Sequence, residues 1–229
     1  MELDELAKDT FSKIGQELIG SHIGGSTEQK QNESLHKYIK EELGFDIPKI
    51  AVCKGHCAPF DYVADVYFER VSNACNFGPR GGGKTTIEAI IHALNSVHKM
   101  GCETASVGAI EMQAKRCYRY FLAIVLKKYY DRLVTDPTQQ STLFKNHSMV
   151  EILAGTINAV NAPHPQKTHL DEFELTTWEI YQEFLNMAQS HGGIASQVTL
   201  SSTRKRSYGT MQRFLDENEE TGAFTVYKW

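Results

Sequence analysis

The stretch "FGPRGGGKTT", Phe77 to Thr86, sets four glycines and a lysine between a short apolar run and a long amphipathic segment. Gly78-Pro79-Arg80-Gly81-Gly82-Gly83-Lys84-Thr85 matches the phosphate-loop pattern GxxxxGK(S/T) at every fixed position. It lies between a predicted strand and a predicted helix, the context that gives the pattern meaning. The residue types follow from the chemistry. Glycines let consecutive backbone N–H groups turn toward one anion, and the helix N-terminus behind them adds partial positive charge. Lys84 supplies a mobile cation for the β- and γ-phosphates, and Thr85 places a hydroxyl where Mg2+ bridging those phosphates sits. Gly78 to Thr86 therefore read as a nucleoside triphosphate cradle rather than as a turn that only caps a helix.

Working outward, the 229 residues suit one principal domain with room for a proper core. With 41% hydrophobic and 23% charged residues the composition is that of a globular protein, and no apolar run is long enough to span a bilayer. The start, "MELDELAKDTF", is acidic and lacks the basic-then-apolar build of a secretory signal, so the five cysteines are expected reduced in a cytosol. A net charge of −4 leaves any nucleic-acid contact to local basic clusters.

Residues 2–19 and 30–43 have helix-like apolar spacing, separated by the polar linker "GSHIGGSTEQ", and form an expected helical lead-in over 1–46. From 47 to 229 short β-prone runs alternate with helical ones. "KIAVC", "NACNFG", "TASVGA", "HSMVEILAGT", the run into "THLDEFE", "SQVTLSS" and "AFTVYKW" read as strands. Helices are expected near 60–71, 84–100, 111–130, 176–190 and 208–219. Such alternation predicts a mostly parallel sheet covered by helices.

A phosphate loop alone does not specify hydrolysis, and "THLDEFE" supplies the second half of a site. An acidic residue closing a strand can hold Mg2+, and a glutamate directly after it can polarise the attacking water. Asp171 and Glu172 fit those roles. The approach to them carries Lys167, Thr168 and His169 where a buried central strand normally runs apolar, so an acidic surface turn competes with this reading. In "VTLSSTRKR", Ser201, Ser202 and Thr203 form a polar strand end suited to sensing the γ-phosphate. Arg204, Lys205 and Arg206 can meet phosphate of nucleotide or nucleic acid, or make a solvated surface.

Taken together these motifs resemble the ATPase domain of tailed-phage terminase large subunits, the motors that pump viral DNA into preformed capsids. The resemblance spans roughly residues 55 to 229. It rests on Arg80, four residues before the loop lysine, on "NHSMVEILAGTINAVNAPHPQKTHLDEFE", and on "LSST" followed by "SYGTMQRFL". It implies a P-loop NTPase of the ASCE type, with a mostly parallel central sheet flanked by helices. Gly78 to Thr86 would bind ATP, Thr85 and Asp171 would hold Mg2+, and Glu172 would activate water. Ser201, Ser202 and Thr203 would couple hydrolysis to movement, and Arg80 would contact phosphate or trigger a conformational change. Implied partners are double-stranded DNA, a portal protein and a small terminase subunit, within a homo-oligomeric ring, pentameric in the family, at the capsid portal vertex in the host cytoplasm. The isolated chain is expected to be a monomer with slow hydrolysis and weak, salt-dependent DNA binding.

Departures from the family pattern carry information. Asn161-Ala162 stands where many relatives have Arg-Gly. The family's adenine-contacting glutamine is not evident in "APFDYVADVYF", which offers Phe60 or Tyr62 for stacking instead. Family members usually continue into an RNase-H-like nuclease, whereas this chain stops at Trp229, so an isolated motor domain without DNA cleavage is expected. "KRCYRYF" offers Arg116 or Arg119 as an arginine finger for a neighbour's nucleotide; Arg119 is the choice for a catalytic role. "CKGHC" brings Cys53, His56 and Cys57, short of the four ligands of tetrahedral zinc unless Cys75, Cys102 or Cys117 contribute, and reads as inert thiols. Two rival functions remain: a helicase, which needs a second RecA-like domain, and a nucleotide-gated docking module with little hydrolysis.

Overall fold

The computed structural model describes residues 26–109, 111–161 and 163–229. The expected helix over 2–19 lies outside them. Helix α1, Ser26–Tyr38, starts inside the stretch read as linker and runs on through a π-helical turn, Ile39–Leu43, closed by Gly44 in a left-handed conformation. Its Leu35, Ile39 and Leu43, spaced by four, are buried in the same core as the rest of the chain.

Helix α2 covers Pro59–Tyr67, with proline at its first turn, where the missing N–H costs nothing. Strand β1, Asn73–Phe77, feeds the glycine loop, and helix α3, Lys84–His98, leaves it. There follow β2 (Glu103–Gly108), α4 (Glu111–Lys128), β3 (Ser141–Leu143), β4 (Met149–Ala154) and a single helical turn α5 (Ile157–Val160). The chain ends with β5 (Lys167–Asp171), α6 (Trp178–Leu185), β6 (Gln197–Ser202), α7 (Thr210–Thr221) and β7 (Thr225–Lys228).

The seven strands make one sheet in the order β3-β4-β2-β5-β6-β1-β7. Every neighbouring pair is parallel except β3 with β4. Parallel strands need crossovers, and the crossover helices cover both faces. One face carries α1 to α4 over a core that includes Tyr62, Ile90, Leu94 and Phe121; the other carries α6 and α7 around Phe173, Phe184 and Phe214. Strand β6 lies between the strand entering the glycine loop and the strand that ends in Asp171. That inserted strand is the mark of the ASCE arrangement of P-loop NTPases. Among the described residues no helix is long and apolar enough to cross a membrane.

Two expectations need correction. "KIAVC" is not a strand: residues 49–53 are irregular and expose Ile50 and Val52, because β7 occupies the sheet position beside β1. The helix expected over 176–190 is one of eight residues, capped by the Thr177 hydroxyl, which accepts from the Ile180 N–H.

The polar approach to Asp171 is a buried strand, and its charge is matched rather than exposed. Glu69 Oε1 accepts from Lys167 Nζ at 2.8 Å and from Lys99 Nζ at 2.7 Å. Backbone carbonyls of Ala195 and Tyr67 accept from the same two ammonium groups. Burial lowers Lys99 to about 8, with the charge of Lys167 acting in the same direction. Removing the shared carboxylate strands two buried cations, and loss of one partner from such a cluster costs about 3–5 kcal/mol. Glu69→Ala is expected to lower unfolding free energy by that order in urea titrations at pH 7; a loss under about 1 kcal/mol would contradict this role.

Candidate functional site

Register assembles the site. Asn76 of β1 lies opposite Ser201 of β6, Ser201 opposite Asp171 of β5, and Asp171 opposite Gly108 of β2. All are at the carboxyl edge of the sheet, where open parallel sheets bind ligands. The glycine loop, the acidic pair and the hydroxyl triplet thus share one edge.

In the loop, Gly81 and Gly83 have φ of +78° and +79°, which glycine adopts without steric cost. Gly78 is glycine for a different reason: a Cβ there would lie 2.9 Å from the backbone oxygen of Trp229. The Trp229 indole N–H donates to Gly82 O at 2.7 Å, so the end of β7 braces the loop. Lys84 is 8% exposed. Its ammonium donates to Gly78 O (2.8 Å), Pro79 O (3.0 Å) and Thr203 Oγ1 (2.9 Å). Burial lowers its pKa, opposed by Glu172 and Asp171. Pro79 and Arg80 are exposed at the tip, and Thr85 and Thr86 are half-buried at the start of α3.

Asp171 is buried; burial first, and then the charge of Glu172, push its carboxyl up to about 6. Glu172 takes φ 52°, ψ 43°, a left-handed conformation that costs a non-glycine residue on the order of 1 kcal/mol. Its Oε2 lies 3.2 Å from Lys205 Nζ.

Below the loop is a polar knot that no motif announces. Glu88, fully buried on α3, accepts at Oε1 from the Tyr62 hydroxyl, from Asn76 Nδ2 (2.8 Å) and from Ser201 Oγ (3.3 Å). Asn76 Nδ2 also donates to Ser201 Oγ at 2.8 Å. His169 Nδ1 lies 3.3 Å from Glu88 Oε2 and 3.0 Å from Thr199 Oγ1. The Glu88–His169 separation is that of an ion pair, yet burial pushes Glu88 up to about 8 and His169 well below its ordinary value.

Beside Gly81–Gly83 opens a cavity of about 460 Å³, walled by Phe45, Ile47, Val52, Ile87 and Trp229. Its volume and apolar lining suit a planar base. Cys53, His56 and Cys57 lie along it, Cys53 exposed, while Cys75, Cys102 and Cys117 are buried elsewhere. Among the described residues no group of three or more His, Cys, Asp or Glu side chains could hold a metal ion. Phe60 and Tyr62, expected to stack on a base, do not: they are 3% and 0% exposed, Phe60 edge-on to His36 and Tyr62 bonded to Glu88.

Comparison with solved structures gives the fold its relatives. The large terminase of bacteriophage HK97 superposes with a TM-score of 0.65 over 86% of this chain and 43% of that one, at 11% identity. The chain has the fold of part of a phage large terminase. The large terminase of a thermophilic bacteriophage gives 0.59 over 72% of this chain and 44% of its own, at 9% identity. A second form of that thermophilic terminase, in complex with ATP-gamma-S, gives 0.54 at 10% identity over 73% of this chain and 43% of its own. The chain spans less than half the length of these terminases. No protein-family model and no curated protein matches the sequence.

Within this terminase fold Lys84, Thr203, Asp171, Glu172, Ser201 and Ser202 meet at one edge. Of the candidate arginines on α4, both exposed, Arg116 lies close enough for its charge to act on Asp171. Arg119 follows about one helical turn later, and Arg80 stands at the loop tip. Asn161 closes α5, and Ala162 lies outside the described residues. Trp229, Phe45 and Glu88 escaped sequence reasoning, since lone aromatics far from the loop and a glutamate inside a helix carry no spacing signal.

The Asp171 carboxyl offers a pH test. Its pKa is raised from the ordinary 3.8 to about 6, so folding favours the protonated form. That contribution is complete below pH 4 and is lost as pH rises through 6, a difference of about 3 kcal/mol. Asp171→Asn is therefore expected to stabilise the metal-free chain at pH 7.5, with the gain falling to about a third of that at pH 4.5. Urea titrations at the two pH values measure it; an equal effect at both would contradict the assignment.

Proposed function

We propose that the chain is the ATP-hydrolysing motor part of a terminase-type DNA-packaging machine. The observation that carries this reading is the shared sheet edge, where β6 brings the hydroxyl triplet between the phosphate loop and the acidic pair.

In this reading the N–H groups of Gly81 to Thr86 and the start of α3 bind the β- and γ-phosphates. Lys84 exchanges the carbonyls of Gly78 and Pro79 for phosphate oxygens, which also changes its contact with Thr203. Asp171 and Thr85 fit Mg2+, a hard cation that takes few protein oxygens and keeps water and phosphate for the rest. When bound, the metal neutralises charge on the phosphates. Glu172 orients the attacking water and accepts its proton. Ser201, Ser202 and Thr203 register loss of the γ-phosphate, since Thr203 shares Lys84 with it and Ser201 is tied to α3 through Glu88. The base lies in the cavity between Phe45 and Trp229.

The partners follow from the same reading: duplex DNA against the basic run Arg204 to Arg206, a portal protein, a small terminase subunit and further copies in a ring. Arg80 serves in cis, and Arg119, or Arg116 beside it, serves a neighbouring site.

Two substitutions separate binding from chemistry. Lys84→Ala is expected to lose most nucleotide affinity in a fluorescent-nucleotide titration. Glu172→Gln is expected to bind ATP as the parent does and to lose roughly 10²- to 10⁴-fold in phosphate release. Equal turnover in Glu172→Gln and the parent would remove Glu172 from the role of base.

A further inference from the structure

The ring that braces the glycine loop is also a wall of the cavity beside it, and the hydrolytic scheme above makes no use of that double role. Inside the loop the Gly82 N–H donates to Pro79 O at 3.1 Å. Lys84 Nζ bonds Gly78 O and Pro79 O, the two carbonyls it leaves when phosphate arrives in the proposed function. The bond from the Trp229 indole N–H to Gly82 O, 2.7 Å long, does not involve Lys84 and can outlast that exchange. The indole also reaches both arms of the loop. A Cβ at Gly78 would lie 3.3 Å from its nitrogen, and a Cβ at Gly82 would lie 3.4 Å from it.

Trp229 follows directly on β7 and is half-buried, with its ring lining the 460 Å³ cavity. Tyr62, fully buried and bonded to Glu88, packs against the indole with ring centroids 5.9 Å apart. A planar base entering the cavity adds a second aromatic partner, and stacking then fixes where the indole N–H points. The loop needs such help. Glycine loses more conformational freedom on ordering than any other residue, so Gly81 to Gly83 hold one shape only at an entropic cost. A restraint already in place when phosphate arrives lowers that cost.

We propose that Trp229 is a positioning residue that couples the base cavity to the phosphate loop. A base stacked on the indole fixes the ring, and the ring's N–H fixes the Gly82 carbonyl. The backbone N–H groups of Gly83 and Lys84 are then held toward the phosphates. The inference rests on the reading of the loop as a triphosphate site and of the cavity as the base site. Nucleoside and phosphate chain bind cooperatively, each tightening the other by the same factor. A triphosphate chain without a base meets a looser loop than ATP does.

The test splits the nucleotide into two probes, adenosine and inorganic tripolyphosphate, titrated calorimetrically into the whole chain with Mg2+ present. In the parent, saturating adenosine is expected to tighten tripolyphosphate binding roughly 3- to 10-fold, the worth of one hydrogen bond. Trp229→Phe keeps an aromatic wall and loses the donor. It is expected to bind each probe alone as the parent does, to lose the tightening, and to bind ATP-gamma-S more weakly by the same factor. A role confined to stacking or to stability would weaken the single probes and leave the factor intact. Adenosine without effect on tripolyphosphate in the parent would overturn the coupling, and that measurement depends on no variant. Undiminished tightening in Trp229→Phe would overturn it as well. Lys84→Ala separates this inference from the reading beneath it. If Lys84→Ala loses tripolyphosphate binding while adenosine has no effect in the parent, the coupling alone fails. If Lys84→Ala binds tripolyphosphate as the parent does, the phosphate-loop reading fails and the coupling with it.

Discussion

One buried carboxyl, that of Glu88, ties together the four elements from which the site is made. It sits on α3 at the junction of β1, β5 and β6, fully buried, bonded to Asn76 and Ser201 and set against His169. A polar group so placed is costly without partners, and the geometry that gives Glu88 Oε1 its bonds to Asn76 and Ser201 fits the register of β6 beside β1. Lys84 lies four residues earlier on the same helix, hence on the same face. Lys84 bonds Thr203 and Glu88 bonds Ser201, so α3 grips the end of β6 at two points one helical turn apart. Whatever displaces Lys84 pulls on one point while the other stays fixed. In the proposed function that is a lever between a bound phosphate and a strand end, built from two hydrogen-bonded contacts.

The opposite end of the sheet is fixed differently. Glu69, Lys99 and Lys167 join α2, α3 and β5 through charge-assisted bonds with little solvent. In the proposed function, rigidity there and a two-point grip at the carboxyl edge leave the turns after β5 and β6 to respond to nucleotide. Those turns carry Glu172, in a left-handed backbone conformation, and the exposed residues 204–206.

Much of this was readable from sequence, for a physical reason. The glycine loop is constrained by backbone geometry, so its residue types are fixed by position, and the alternation of β-prone and helical runs follows from burying a parallel sheet on both faces. Strand β5 was ambiguous because its polarity is satisfied by partners far along the chain: Glu69 for Lys167, and Glu88 and Thr199 for His169. "KIAVC" has the composition of a strand but no free neighbour in the sheet, and its exposed Val52 helps wall the cavity instead. Phe60 and Tyr62 were plausible base contacts on chemistry alone, and packing removed both. Trp229 was invisible because its importance lies in where β7 returns, beside Gly78 and Gly82.

A crystal structure of this chain with ATP-gamma-S and Mg2+ tests the grip of Lys84 and Glu88 on β6 most sharply. The terminal phosphate is expected within hydrogen-bonding distance of Lys84 Nζ, the ammonium withdrawn from Gly78 O and Pro79 O, and the base between Phe45 and Trp229. Asp171 and Thr85 should lie on the metal side, with Glu88 still bonded to Ser201. A nucleotide bound away from the loop, or bound there with Lys84 still on the two carbonyls and the 460 Å³ cavity empty, would contradict it.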